Sequence, residues 1–109
     1  AEASKIGIEI EASALHIYPQ VMELYEKIMI SVGSYRNREH YLPKVVNRER
    51  IAPEIVDILA DPQTSGGLLI SVPAECLTQL NTELEAAGCN AFNIGRIVAD
   101  HPGQMMVRS

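Results

Sequence analysis

Residues 61 to 67 read Asp-Pro-Gln-Thr-Ser-Gly-Gly, and they gather many hydrogen-bond donors into one short stretch. The hydroxyls of Thr64 and Ser65 and the amide of Gln63 donate without carrying charge. Gly66 and Gly67 open backbone dihedrals closed to other residues, which lets main-chain N–H groups converge on one point. Neutral donors clustered in this way suit an oxyanion such as phosphate. Asp61 opposes direct anion binding unless it caps the loop or pairs with a basic residue or a metal. The plainer alternative is a helix-to-strand turn whose glycines serve local geometry alone. Upstream, Arg36, Arg38, Arg48 and Arg50 are able to neutralise phosphate, or are solvated surface charges.

The elements around this loop follow from periodicity. Residues 5–11 alternate at period two, so Ile6, Ile8 and Ile10 are expected to face a core while Glu9 and Glu11 face water. Pro19 opens a helix whose stripe is Val21, Met22, Tyr25, Ile28, Met29 and Val32, with Met22 and Met29 read as core filling. Gly33 is placed at the end of that helix. A long polar connection, 34–50, leads to a short helix over 51–60 with Pro53 in its first turn. Past the 61–67 loop, Leu-Leu-Ile-Ser-Val (68–72) reads as a central strand covered on both faces. A helix over 73–87 follows, with Leu77, Leu80, Leu84 and Ala87 on one face and Gly88 as its stop. Residues 92–98 form a strand with Gly95 as a candidate bulge. Asp100-His101-Pro102-Gly103 is a turn, and 104–108 is expected to return as an antiparallel partner.

Composition bounds the rest. The 109 residues suffice for one domain, 1–109, and 47% hydrophobic content excludes wholesale disorder. A formal net charge of −5 argues against nucleic acid and anionic membrane as partners. No apolar run reaches the roughly 18 residues of a spanning helix, and no charged-then-apolar leader opens the sequence, so the cytoplasm is the expected location. Cys76 and Cys89, if joined by helix, lie roughly 20 Å apart, too far for a disulfide, and are read as reduced. His16, His40 and His101 have no metal-ligand spacing, so no metal site is expected. The opening Ala1-Glu2-Ala3-Ser4-Lys5 suits the last turn of a helix, and the expected reading is a domain incomplete at its N-terminus.

The segment 61–72 resembles the signature near the C-terminus of selenophosphate synthetase, also called selenide, water dikinase. The resemblance continues through Pro73, Ala86-Ala87-Gly88 and Ile94-Gly95-Arg96-Ile97. Upstream, Gly33-Ser34-Tyr35-Arg36-Asn37 matches the family's Gly-(Thr or Ser)-x-x-Asn. It implies an α+β fold, a mixed β-sheet flanked by helices and partly ferredoxin-like, of the aminoimidazole ribonucleotide synthetase C-terminal domain type.

The resemblance also implies a reaction in which ATP, selenide and water give selenophosphate, AMP and phosphate, with Mg ions neutralising charge. Asp61, Gln63, Thr64, Ser65, Gly66, Gly67, Gly33, Ser34 and Asn37 become candidates for a substrate or phosphate cleft; no residue of this sequence is assigned as catalytic or as a metal ligand. The family's N-terminal ATP-binding domain, with its glycine-rich stretch, metal-binding aspartates, lysine and reactive Cys or selenocysteine, has no counterpart here. Neither has the Thr-Asp-x-Thr-Gly-Phe-Gly segment. ATP and Mg are accordingly expected in a full-length enzyme, with no cofactor and no activity in this chain alone. A homodimer is expected. The alternative is a packing and dimer-supporting module of a sister kinase, such as thiamine-monophosphate kinase.

Overall fold

A computed structural model describes residues 1–108. β1 (Gly7–Glu11) is the centre of a three-stranded mixed sheet, with β2 (Gly95–Val98) antiparallel on one side and β3 (Met105–Arg108) parallel on the other. The last strand thus crosses to the far side of β1 instead of returning beside its predecessor. The connecting turn dictates this: Gly103 N–H donates to Ile6 O at 2.9 Å and Ile8 N–H to Gln104 O at 3.1 Å. These bonds stitch the turn to the entry of β1. The outer edge of β3 is covered by Asn47, whose side chain donates to Val107 O (2.6 Å) and accepts from Val107 N–H (3.1 Å), as a neighbouring strand would. Gly95 is no bulge. It pairs with Ile10 in the ladder, and β1 passes close against it.

The alternation in β1 holds for Ile10, which is buried, but not for Glu9, expected in water and only 5% exposed. Opposite and diagonal neighbours explain it. Arg96 of β2 lies directly across from Glu9, and both it and Arg108 of β3 reach the carboxylate, with closest contacts of 2.7 Å. Hydrogen bonds from Arg108 and then Arg96 hold the Glu9 carboxyl down from its ordinary 4.5 to about 2. A folded value below the unfolded one stabilises fully above pH 4.5 and is lost as pH falls toward 2. The melting temperature should therefore drop across that window, and Glu9→Gln should flatten the drop. Equal slopes for the two proteins would refute the assignment.

The helices differ from the expected single stripe. α1 (Val21–Glu26) stops early because Ile28 takes φ 59°, and Met29 N–H then donates back to Leu24 O at 3.0 Å. Met22 and Met29 are exposed, not core. A second helix, α2 (Val32–Tyr41), occupies the start of the stretch expected to be a polar connection, so Gly33 sits in a first turn and ends nothing. Ser31 is the reason: its Oγ accepts from Ser34 N–H at 3.1 Å and caps the helix. α3 (Pro53–Leu59) begins at the expected proline. Asp57, buried on α3, accepts from Arg38 Nη1 (2.9 Å) and from the Tyr25 hydroxyl (3.2 Å), tying the three helices together. Burial and the Asp57 charge push the Tyr25 hydroxyl pKa upward.

Residues 68–72 are not a strand. They have no ladder partner among the described residues, and Leu68 and Leu69 are 90% and 74% exposed. The amphipathic α4 (Leu77–Ala86) follows, its Leu77, Leu80 and Leu84 only half-buried, and Gly88 ends it at φ +74° as expected. The radius of gyration, 14.9 Å, exceeds the roughly 13 Å of a compact chain of this length. No helix among the described residues is long and apolar enough to cross a membrane. Exposed apolar side chains of this kind drive association. The chain should elute from size-exclusion chromatography above its 12.0 kDa monomer mass, and Leu69→Lys should move it toward monomer. A monomeric peak with a cooperative melt would contradict this.

Candidate functional site

The site begins at the contact between α2 and the residues leaving α3. Gly33, Ser34 and Asn37 fall at i, i+1 and i+4, one face of a helix. Each meets a successive residue of the departing chain. Asn37 Nδ2 donates to Ala60 O at 2.9 Å. Ser34 Oγ donates to Asp61 Oδ1 at 2.8 Å. Gly33 lies so close to Pro62 that a Cβ there would stand 2.6 Å from the ring Cγ. Because the Ser34 hydroxyl proton goes to Asp61, the Ser31 hydroxyl at 2.9 Å donates to Ser34. Gln63 Nε2 adds a bond to Asp61 Oδ2 at 3.2 Å. The Asp61 carboxylate is therefore the anion seated at the first turn of α2, where the helix dipole favours negative charge. Asp61 receives no backbone N–H and pairs with no basic residue among the described residues; its partners are side chains of α2's first turn and of Gln63.

Beyond Gln63 the picture reverses. Thr64 and Ser65 form a turn, every residue from 61 to 71 is exposed, and neither hydroxyl has a hydrogen-bond partner among the described residues. Gly66 and Gly67 adopt no left-handed dihedral. A Cβ at Gly67 would meet nothing within 4 Å. The chain's own geometry thus makes no demand for glycine there, in contrast to the expectation of unusual dihedrals. The loop divides into a fixed base, 60–63, and a tip, 64–67, with unspent donors and an unobstructed backbone.

Other candidates are not drawn into this cluster. Arg38 is spent on Asp57, while Arg36, Arg48 and Arg50 are exposed. His16 stacks on Phe92 with ring centroids 4.4 Å apart. His101 Nε2 is buried without a partner, and its backbone is strained at φ 43°. Cys76 and Cys89 are free, as their reading as reduced thiols requires, and both are exposed. A cavity of about 400 Å³ between β3, α3 and the end of α2 is lined largely by apolar side chains, among them Val56, Leu59, Met105 and Val107, and by no residue of the tip. For Mg, the residues do not fit. Asp61 is the only carboxylate in the loop, its oxygens already accept from Ser34 and Gln63, and no group of three His, Cys, Asp or Glu among the described residues is placed to hold a metal. Sequence reasoning missed Ser31, Ala60, Asp57 and the Glu9–Arg96–Arg108 cluster. Of these only Ser31 carried a local signal, a serine three residues before Ser34.

A three-stranded mixed sheet with helices around it defines a small α+β domain. Its family follows from comparison with known proteins. The model of the AIR synthase related protein, C-terminal domain, matches residues 1–108, and the chain belongs to that family. It is 35% identical over 108 residues to selenide, water dikinase 2 of Peptoclostridium acidaminophilum, covering 98% of this chain and 31% of that protein. It is 40% identical over 102 residues to a selenide, water dikinase of Clostridioides difficile (strain 630), covering 90% and 28%. A selenide, water dikinase of Nitratidesulfovibrio vulgaris (strain DSM 19637 / Miyazaki F) is 32% identical over 103 residues, covering 94% and 29%. The chain therefore spans about three-tenths of the length of the curated relatives it matches.

Proposed function

We propose that this chain is the C-terminal part of a selenophosphate synthetase, in which ATP, selenide and water yield selenophosphate, AMP and phosphate. The observation that carries the reading is the tip Thr64-Ser65-Gly66-Gly67. It has two hydroxyls without hydrogen-bond partners and two glycines that no contact requires among the described residues. Donors left free on a loop whose base is fixed suit an oxyanion arriving from outside, and bare backbone lets it approach closely. The relatives' names supply the reaction class. ATP and Mg binding belong in this reading to an N-terminal ATP-binding domain, since the carboxylates here do not form a metal site. The chain alone should then release no phosphate from ATP above blank. The reading also takes the whole protein to be a cytoplasmic homodimer with neither nucleic acid nor membrane as partner.

One observation favours a second reading for part of the motif. Asp61, Pro62 and Gln63 are occupied with α2 or with one another, as a packing module of a sister kinase such as thiamine-monophosphate kinase would require. The two readings separate at the tip. The deciding experiment is Thr64→Ala with Ser65→Ala in the polypeptide that carries the ATP-binding domain, reading AMP formation beside melting temperature. A rate loss without a stability loss supports the oxyanion cradle; a stability loss at unchanged rate overturns it.

A further inference from the structure

We propose that Gly33, Ser34 and Asn37 are positioning residues that never touch the ligand: they latch the base of the 61–67 loop onto α2 and so fix where its tip points. Ser34 has nothing to offer a ligand, because it is 1% exposed and its hydroxyl is spent on Asp61. Asn37 Nδ2 donates to the Ala60 carbonyl, the last acceptor before the loop. Three contacts to three consecutive residues, 60, 61 and 62, define both the position and the direction of the emerging chain. The tip is exposed and neither of its hydroxyls is hydrogen-bonded among the described residues, so its placement is inherited from this base. Gly33 sets the closeness of the latch. Any side chain there must push Pro62 away, and the proline ring, fused to its own backbone, cannot swing aside as a flexible side chain would.

The inference rests on the oxyanion reading for what the tip does, but the latch itself is tested without it. Gly33→Ala removes no charge and no hydrogen bond, and Ala is the better helix former, so its effect reports displacement of Pro62. In the full polypeptide, Gly33→Ala should shift the amide resonances of 64–67, which reads where the tip lies. AMP formation should fall on the order of tenfold or more, as misplacement of a catalytic element does. Adding Pro62→Ala should recover most of both, because the colliding ring is gone. Unmoved tip amides, or no recovery in the double variant, would overturn the latch. If Gly33→Ala does not fold, Asn37→Ala carries the test: shifted amide resonances at 63–67 with the exchange protection of α2 unchanged support it, and unmoved resonances at 63–67 overturn it. Should the amides shift while turnover is insensitive to Thr64 and Ser65, the latch stands and the oxyanion reading falls.

Discussion

Removing both tip hydroxyls, Thr64→Ala with Ser65→Ala, should lower AMP formation by on the order of 10²-fold while the melting temperature stays nearly unchanged. The magnitude follows from what such groups do in a closed site. One oxyanion donor is worth roughly 10² to 10³ in kcat when it meets charge that develops in the transition state. Two hydroxyls on one turn share that role, so their combined loss is not the product of two single losses. The small stability effect follows from the structure of the chain itself. Both side chains are exposed and neither has a partner among the described residues, so deletion breaks no contact. Surface replacements of this kind change stability by about 0.5 kcal/mol or less. A steady-state assay of AMP, run beside a thermal melt, checks both halves. The contrast between halves is the point, since a turn-forming motif would show the opposite pattern.

The loop was legible in the sequence because its donors and glycines are contiguous, and β1 was legible because alternation is a local signal. Elements that depend on distant partners were not. Glu9 looks like a solvent-facing strand residue until Arg96 and Arg108, 87 and 99 positions away, are brought beside it. The residues 68–72 announce a need for burial, but an apolar run does not name a strand to pair with, and the structure supplies none. Gly33 was misplaced through a real ambiguity. A glycine after an apolar stripe is the common mark of a helix end, and here Ile28, at φ 59°, ends the helix five residues earlier. Nothing local flags an isoleucine for that conformation. The spacing of Gly33, Ser34 and Asn37 was visible, yet its meaning depended on a helix boundary that placed all three on one face.

Gly95→Ala should abolish the cooperative melt. The added methyl would collide with the Glu9 carbonyl oxygen and stand 3.1 Å from the Ile10 Cα, backbone atoms in the middle of β1. No rotamer change relieves a contact with main chain, so β2 must withdraw from the ladder. The consequences are not confined to one hydrogen bond. Withdrawal separates Arg96 from Glu9, leaving the carboxylate with Arg108 alone, and it reduces three strands to two. A two-stranded sheet is marginal by itself. Here the fully buried apolar side chains among the described residues are only Ile10 and Val107, too few to compensate. Gly67→Ala is the matched control, since its methyl meets nothing within 4 Å, and its melt should superimpose on that of the parent. Circular dichroism against temperature distinguishes the two outcomes. A cooperative transition retained in Gly95→Ala would mean that β2 pairs with β1 more loosely than this register requires, and that the Glu9 clamp rests on Arg108 rather than on both arginines.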